Sequence, residues 1–280
     1  MRICVHINPQ HEQHMIHGHA FANGLRAHGE DPQIIYSFYS TECDLAIFSG
    51  WHHETKLIQD RQRADGNHFI SMDVGYLGDR SKWRSIGYDG QNGRADFLVD
   101  PGMPATRRNK YHWSFKPWNP GSEHILVCGQ IPGATALRGL DHDAWIAAIA
   151  TKIETITDTP IKFRPHPDPN MPHKAQKAGL MADLDGAMCV VAYNSNAAVD
   201  AILAGIPAIL LDRGGMAWPV SGHSLDDVLD PPMPDRDQWL DNLAWCQWKL
   251  KEIESGSAWD HLKSGPAPIA DDLDQIEGVE

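Results

Sequence analysis

Residues 190–211, VVAYNSNAAVDAILAGIPAILL, constrain the fold more than any other stretch of the chain. Apolar Val190, Val191 and Ala192 run directly into Asn194, Ser195 and Asn196, residue types that cap helix N-termini. A short helix follows, Gly205 stops it and Pro207 keeps it from continuing. Residues 208–211 are apolar throughout, as a parallel strand covered on both faces must be. Such a strand–turn–helix–strand unit aims the free N–H groups of a helix start at the carboxyl edge of a sheet. Open α/β folds bind anions at that edge.

Length and charge narrow the classes. The 280 residues suffice for one large domain or two smaller ones, each with a core of its own. Twenty-four basic residues against 37 acidic ones give a net charge of −13, which disfavours broad contact with nucleic acid or anionic membranes but leaves room for a local basic cleft. No apolar run approaches the roughly 20 residues of a membrane span, and MRICVHINP does not read as a secretory signal. The scattered cysteines Cys4, Cys43, Cys128, Cys189 and Cys246 form no CxxC pair and read as buried thiols of a cytoplasmic protein. Many of the 16 histidines precede residue 54, yet no HExxH or similar metal spacing occurs.

Strands alternate with helices along the chain, which predicts an α/β fold of βαβ units. Strands are expected at 2–7, 34–38, 44–49 and 68–72, with helices at 14–28 and 55–64. Residues 75–93, rich in Gly, Asp and Arg, read as a long irregular loop. The Pro-rich stretch 100–122 interrupts the pattern and reads as an interdomain connection. A second alternation follows, with strands at 125–128, 161–164 and 188–193 and a helix at 142–157. Residues 237–255 predict one long helix carrying Trp239, Leu243, Cys246 and Leu250 on one face, followed by an acidic, fraying tail. The division is then 1–110 for the first unit, 111–122 for the linker, 123–255 for the second unit and 256–280 for the tail.

Arg164-Pro165-His166-Pro167 directly follows a predicted strand. The prolines stiffen the turn, and Arg and His can both meet phosphate, Arg through a bidentate fork. With the 194–196 helix start, two strand ends of one sheet would offer anion-binding groups.

The order HILVCGQIPG, FRPHP, YNSNAAVDAILAGIP resembles the C-terminal domain of GT-B glycosyltransferases. It is most similar to the group of capsular Kdo transferases, bacterial sialyltransferases and glycerophosphotransferases, and HGHAFANGLRAHG resembles the first helix of a GT-B acceptor domain. The segments GYLGDRSKWRSIGYDGQNGRADF and WLDNLAWCQWKLKEIESGSAW are similar to ones in phage-borne transferase-like proteins. The resemblance implies two Rossmann-like domains facing each other across a crevice. It implies a nucleotide-sugar as donor substrate, with no separate cofactor and no bound metal. His166 would contact a donor phosphate. Asn194, Ser195 and Asn196 would hold phosphate at a helix start, Asp200 would serve ribose hydroxyls, and Gly129 and Gln130 would form the turn that lets backbone approach the donor. Related turns often carry an acidic residue where this chain has Ala134.

Sugar transfer with inversion requires a base for the acceptor hydroxyl. Asp73, at a predicted strand end, is the favoured candidate; His17 and His19, near the first helix start, are others, with Asp79 and Arg80 in the glycine-rich loop as further possibilities. Asp183-Leu184-Asp185 resembles a DxD metal motif but lies outside the strand-end setting such motifs use. Arg107, Arg108 and Lys110 beside Tyr111, Trp113 and Trp118 could touch donor or acceptor from the linker, or simply pack in the crevice. The expected function is transfer from a nucleotide-sugar, with CMP- or UDP-linked donors both open, to a glycan or a hydroxymethylated DNA base. The alternatives are a nucleotide-sugar 2-epimerase and a non-catalytic nucleotide- or glycan-binding protein.

Overall fold

A computed structural model describes residues 1–38, 42–167, 171 and 173–266. The first half opens with β1 (Ile3–His6), α1 (Glu12–Ala27), β2 (Gln33–Ile35), β3 (Leu45–Ser49), α2 (His53–Ala64), β4 (His68–Val74), β5 (Trp83–Tyr88) and α3 (Thr106–Lys110). The second continues with β6 (His124–Cys128), α4 (His142–Ile156), β7 (Ile161–Arg164), α5 (His173–Asp183), β8 (Ala187–Ala192), α6 (Ala197–Ala204), β9 (Ala208–Leu210) and α7 (Asp237–Trp245). The chain ends in β10 (Gln247–Lys249), α8 (Leu250–Glu254) and α9 (Ser257–Leu262).

These elements build two sheets. The first has the order β10-β5-β4-β3-β1-β2, with β1 to β4 parallel and β5 and β10 antiparallel to their neighbours. The second is wholly parallel, in the order β7-β6-β8-β9. Alternation along β1 sends Ile3 and Val5 to a core shared with α1, α8 and α9, and Cys4 to the opposite core with Ile58 of α2. In β6, Ile125 and Val127 meet Ile149 and Ile153 of α4, while Leu126 and Cys128 join Leu180, Ile202 and Leu243 from α5, α6 and α7. Tyr76, Leu77 and Phe97 of the first half enter that last core, so apolar contact is continuous between the two units. All five cysteines are buried. No helix among the described residues is long and apolar enough to cross a membrane.

Four expectations need correction. Residues 75–93 are not one loop, because β5 lies inside them and pairs with β4 from Tyr88↔Ile70 to Arg84↔Val74. Gly and Arg dilute the strand signal there, and Gly87 is required because the Phe97 ring lies 2.8 Å from where its Cβ would be. The expected helix 237–255 breaks into α7, β10 and α8. Gln247 is fully buried, and its Oε1 accepts from the Tyr76 and Leu77 amides at 2.6 and 2.9 Å, holding 247–249 against the free edge of β5. Helical periodicity loses to these pairings. Residues 247–254, which the sequence division gives to the second unit, therefore build onto the first sheet. The expected fraying tail begins instead with a packed helix, since α9 buries Trp259 and Leu262, and Tyr88 Oη donates to the Leu262 carbonyl at 3.0 Å; residues 267–280 lie outside the described residues. The 100–122 stretch, expected as an interdomain connection, is an ordered strap in which α3 packs against α7.

Candidate functional site

Because β6, β7 and β8 are parallel neighbours, the turns leaving their carboxyl ends meet at one edge of the second sheet. Between that edge and the turn after β4 lies a cavity of about 860 Å³. The second unit supplies residues 128–131, Ala134, residues 164–167, the α5 side chains Lys174, Gln176, Lys177 and Leu180, and the α6 start from Asn194 to Ala197 with Asp200. The first unit supplies Val74, residues 78–81 and Asn92. Gly129, Gln130, Arg164, His166, Asn194, Ser195, Asn196, Asp200 and Arg80, all selected from sequence, are brought together in this wall.

The turn after β6 is tightly built. A Cβ on Gly129 would lie 3.2 Å from both His142 Nε2 and the Phe163 ring. The Gln130 amide donates to His142 Nε2 at 2.9 Å, and its side chain locks to Asn194 in both directions: Gln130 Nε2 donates to Asn194 Oδ1 at 2.8 Å, and the Asn194 amide to Gln130 Oε1 at 3.2 Å. The Asn194 side chain is therefore not a helix cap. Its Nδ2 donates to the Ala136 carbonyl at 2.7 Å and to Asp212 Oδ2 at 2.6 Å. Ser195 Oγ accepts from the Ala197 amide at 3.2 Å, and Asn196 occupies the cap position without a side-chain capping bond.

The cations of the wall differ in how far they are committed. Arg164 pairs with Asp183 and donates to the Gln176 carbonyl at 3.2 Å, tying β7 to α5. The same Asp183 binds Lys162 at 2.8 Å, so the first carboxylate of the DLD run serves ion pairing. Arg80 crosses from the first unit to donate to Asp200 Oδ2 at 2.8 Å and to the Asn196 carbonyl at 3.1 Å, while Lys177 approaches Asp200 Oδ1 at 3.4 Å. Asp200 is only 5% exposed, and both its oxygens are taken by cations. His166 is exposed, and its Nδ1 donates to the Pro167 carbonyl at 2.7 Å, leaving Nε2 for a ligand. Lys174, exposed on the first turn of α5, has no carboxylate partner among the described residues.

The remaining candidates lie apart. Asp73 precedes the cavity residue Val74; its Oδ2 accepts from Gln91 Nε2 at 3.1 Å, and Gln91 Oε1 accepts from Thr135 of the second unit at 3.4 Å. Burial raises the Asp73 pKa, opposed by the Val74 amide, Gln91 and Arg84. His17 is buried in α1 with Nδ1 bonded to the Gln13 carbonyl, and burial and Arg84 lower its pKa to about 4. His19 meets Tyr36 Oη at 3.3 Å. Neither histidine lines the cavity. The expected ligand contacts Arg107 and Arg108 do not line it either. Arg107 is 6% exposed, forms a fork onto Glu252 at 3.0 Å on both arms, and lies over the Trp248 ring at 4.0 Å. Arg108 pairs with Asp237 at 2.7 Å. Both strap residues bind α7 and the chain beyond it because those elements return across the linker, a non-local fact.

Sequence reasoning passed over Lys174 and Lys177, whose i,i+3 spacing puts them on one helix face. It also passed over Asp212, which follows β9 as His166 follows β7.

No family model and no curated protein sequence matches the chain. Among solved structures it is similar to the Thermosulfurimonas dismutans KpsC beta Kdo 2,4 transferase, at a TM-score of 0.54 and 11% identity over 88% of this chain and 90% of that one. The beta Kdo 2,7 transferase of the same KpsC aligns with a TM-score of 0.51 and 10% identity over 94% of this chain and 100% of that one. A UDP-GlcNAc 2-epimerase from Methanocaldococcus jannaschii aligns over 95% of this chain at 10% identity, but its TM-score of 0.36 is too low to bear on the fold. The fold is thus GT-B-like, with two Rossmann-like units facing each other across a crevice.

Proposed function

We propose that this chain is a glycosyltransferase that takes a sugar from a nucleotide-sugar and places it on an acceptor hydroxyl. The observation that carries the reading is the convergence of three strand-end turns, 128–131, 164–167 and 194–197, on one cavity closed from the other side by the first unit. A cavity of about 860 Å³ accommodates a nucleotide with a sugar. The Kdo transfer of the two KpsC transferases agrees with this reading.

The charge inventory favours a donor with a single phosphate, such as a CMP-sugar. Arg164, Arg80 and Lys177 are paired with carboxylates, which leaves Lys174 and His166 to meet the ligand. In this mechanism Asp73 takes the acceptor proton as the acceptor oxygen attacks the anomeric carbon. The bond from that carbon to the phosphate oxygen breaks, and the phosphate leaves with the electron pair. Lys174 and His166 stabilise that charge, so no metal is invoked. Asp73 suits the role because burial raises its proton affinity. Of the carboxylates in the cavity wall, Asp79 pairs with Lys82 and Asp200 with Arg80 and Lys177. A glycan fits the net charge of −13 better than DNA does as acceptor.

The test is a thermal-shift panel of CMP, CDP, UDP, GDP and their sugars, followed by turnover assays with the best donor. A ligand at about 100 times its dissociation constant adds roughly 2.7 kcal/mol. Selective stabilisation by one nucleotide with turnover supports the reading. Binding without turnover on any glycan would favour a non-catalytic nucleotide-binding protein, and no stabilisation by any nucleotide would sink both.

A further inference from the structure

Two residues that do not line the cavity hold its central side chain. Asp212 follows β9 in the second unit and Arg94 follows β5 in the first. Arg94 Nη1 donates to Asp212 Oδ2 at 2.8 Å and Nη2 to Oδ1, forming a bidentate fork. Asp212 Oδ2 also accepts from Asn194 Nδ2 at 2.6 Å and from the Gly214 amide at 3.2 Å. Asn194 is 3% exposed and locked in turn to Gln130. A single chain of bonds thus runs from the first unit through the turns after β9, β8 and β6.

The backbones support the same junction. The Gly93 amide donates to the Gly214 carbonyl at 3.0 Å. A Cβ on Gly214 would lie 1.8 Å from Arg94 Nη1, and one on Gly93 would lie 2.8 Å from the Arg213 carbonyl. Arg94 Nε is buried with no partner among the described residues, and the guanidinium meets Asp212 through Nη1 and Nη2.

We propose that Arg94 and Asp212 are positioning residues: by fixing the Asn194 amide they hold the Gln130 turn and the α6 start in the geometry that binds donor. Donor affinity, a property of the second unit's wall, thereby depends on contact with the first unit. The orientation argument is chemical. Asn194 Oδ1 faces the donor Gln130 Nε2 only while its Nδ2 has acceptors on the other side, and Asp212 is the charged one of two. Removing the Asp212 charge frees the amide to flip and unlocks Gln130.

The ligand named here rests on the glycosyltransferase reading, so the experiment has one arm that needs no ligand. Asp212→Asn, Arg94→Ala and Arg94→Lys are compared with wild type and with Arg108→Ala, a remote ion-pair control. Amide hydrogen exchange of the free proteins is followed at residues 129–137 and 193–200, and CMP and UDP affinities are read by tryptophan fluorescence. Asp212→Asn and Arg94→Ala are expected to raise exchange locally and to weaken the bound nucleotide about tenfold, with KM rising and kcat changing little. Arg94→Lys recovers part of this, and Arg108→Ala shows none. Unchanged exchange in 193–200, or a rise spread evenly over the isosteric Asp212→Asn protein, overturns the proposal. So does wild-type nucleotide affinity in Asp212→Asn. If wild type binds neither nucleotide, the donor reading falls while the exchange arm still decides this one.

Discussion

Arg80 of the first unit donates to Asp200 of the second at 2.8 Å, with the two side chains 17% and 6% exposed. The pair stands at the cavity wall, so one contact both joins the units and shapes the site.

A double-mutant cycle on Arg80→Ala and Asp200→Asn should give a coupling energy of about 1–3 kcal/mol, because each single change leaves a shielded charge short of its partner. Lys177, at 3.4 Å, keeps Asp200 partly compensated. Chemical denaturation of the four proteins measures it. Strict additivity would mean that the pair contributes nothing to closing the crevice.

His166 is exposed and makes only a local bond. His166→Ala should therefore change stability by less than about 0.5 kcal/mol, yet abolish most of the thermal shift given by the donor nucleotide. Lys174→Ala should act in the same direction. Retention of the full shift in both variants would remove these residues from the phosphate site.

Arg107 behaves oppositely. Arg107→Ala leaves Glu252 with only Tyr111, the Lys249 amide and the exposed Lys110 at 3.2 Å and should cost about 3 kcal/mol, while nucleotide affinity of the folded fraction stays unchanged. Glu252 also sets an acid limb. Burial alone would raise its pKa, but the bonds from Arg107, Tyr111 and the Lys249 amide outweigh that and hold it at about 2, below the usual 4.5. Its contribution, about 3 kcal/mol, is complete above pH 4.5 and is lost as pH falls toward 2. Glu252→Gln should flatten that limb.

A second limb comes from α1. His14 stacks on His11 at 4.0 Å and on His52 at 5.9 Å, and burial followed by these neighbours and Arg84 lowers its pKa to about 4. His17 is lowered to about 4 as well. Below pH 6.5 the unfolded chain protonates these rings while the folded one does not, so stability falls from pH 6.5 toward 4. His14→Phe should reduce the slope of unfolding free energy against pH by about one proton. An unchanged slope between pH 6 and 4.5 would contradict the assignment.

Asp73→Asn tests the base. Turnover should drop by about 10²–10⁴-fold while nucleotide affinity is kept. Near-wild-type turnover would shift the search to Asp79, whose carboxylate stands in the cavity wall.

Much of the cavity wall was legible because it is local. The run into Asn194, the FRPHP turn and Gly129 are each written within a few residues of the strand they end, and parallel topology then gathers such turns at one edge. The same local grammar identified α1, α2, α4, α6 and the strands they connect. It misread 237–255, where Gln247 answers the backbone of Tyr76 and Leu77 from far along the chain.

The sequence by itself therefore determined the α/β class, the turns that line the cavity and the order in which they occur. Only the tertiary structure decided which charges remain free for a ligand. A lone Arg107 beside aromatics looks like a ligand contact until Glu252 arrives from the returning chain, and Asp200 looks available until Arg80 crosses from the other unit. Charge pairing acts over a few ångströms of space, and those ångströms join residues more than a hundred positions apart.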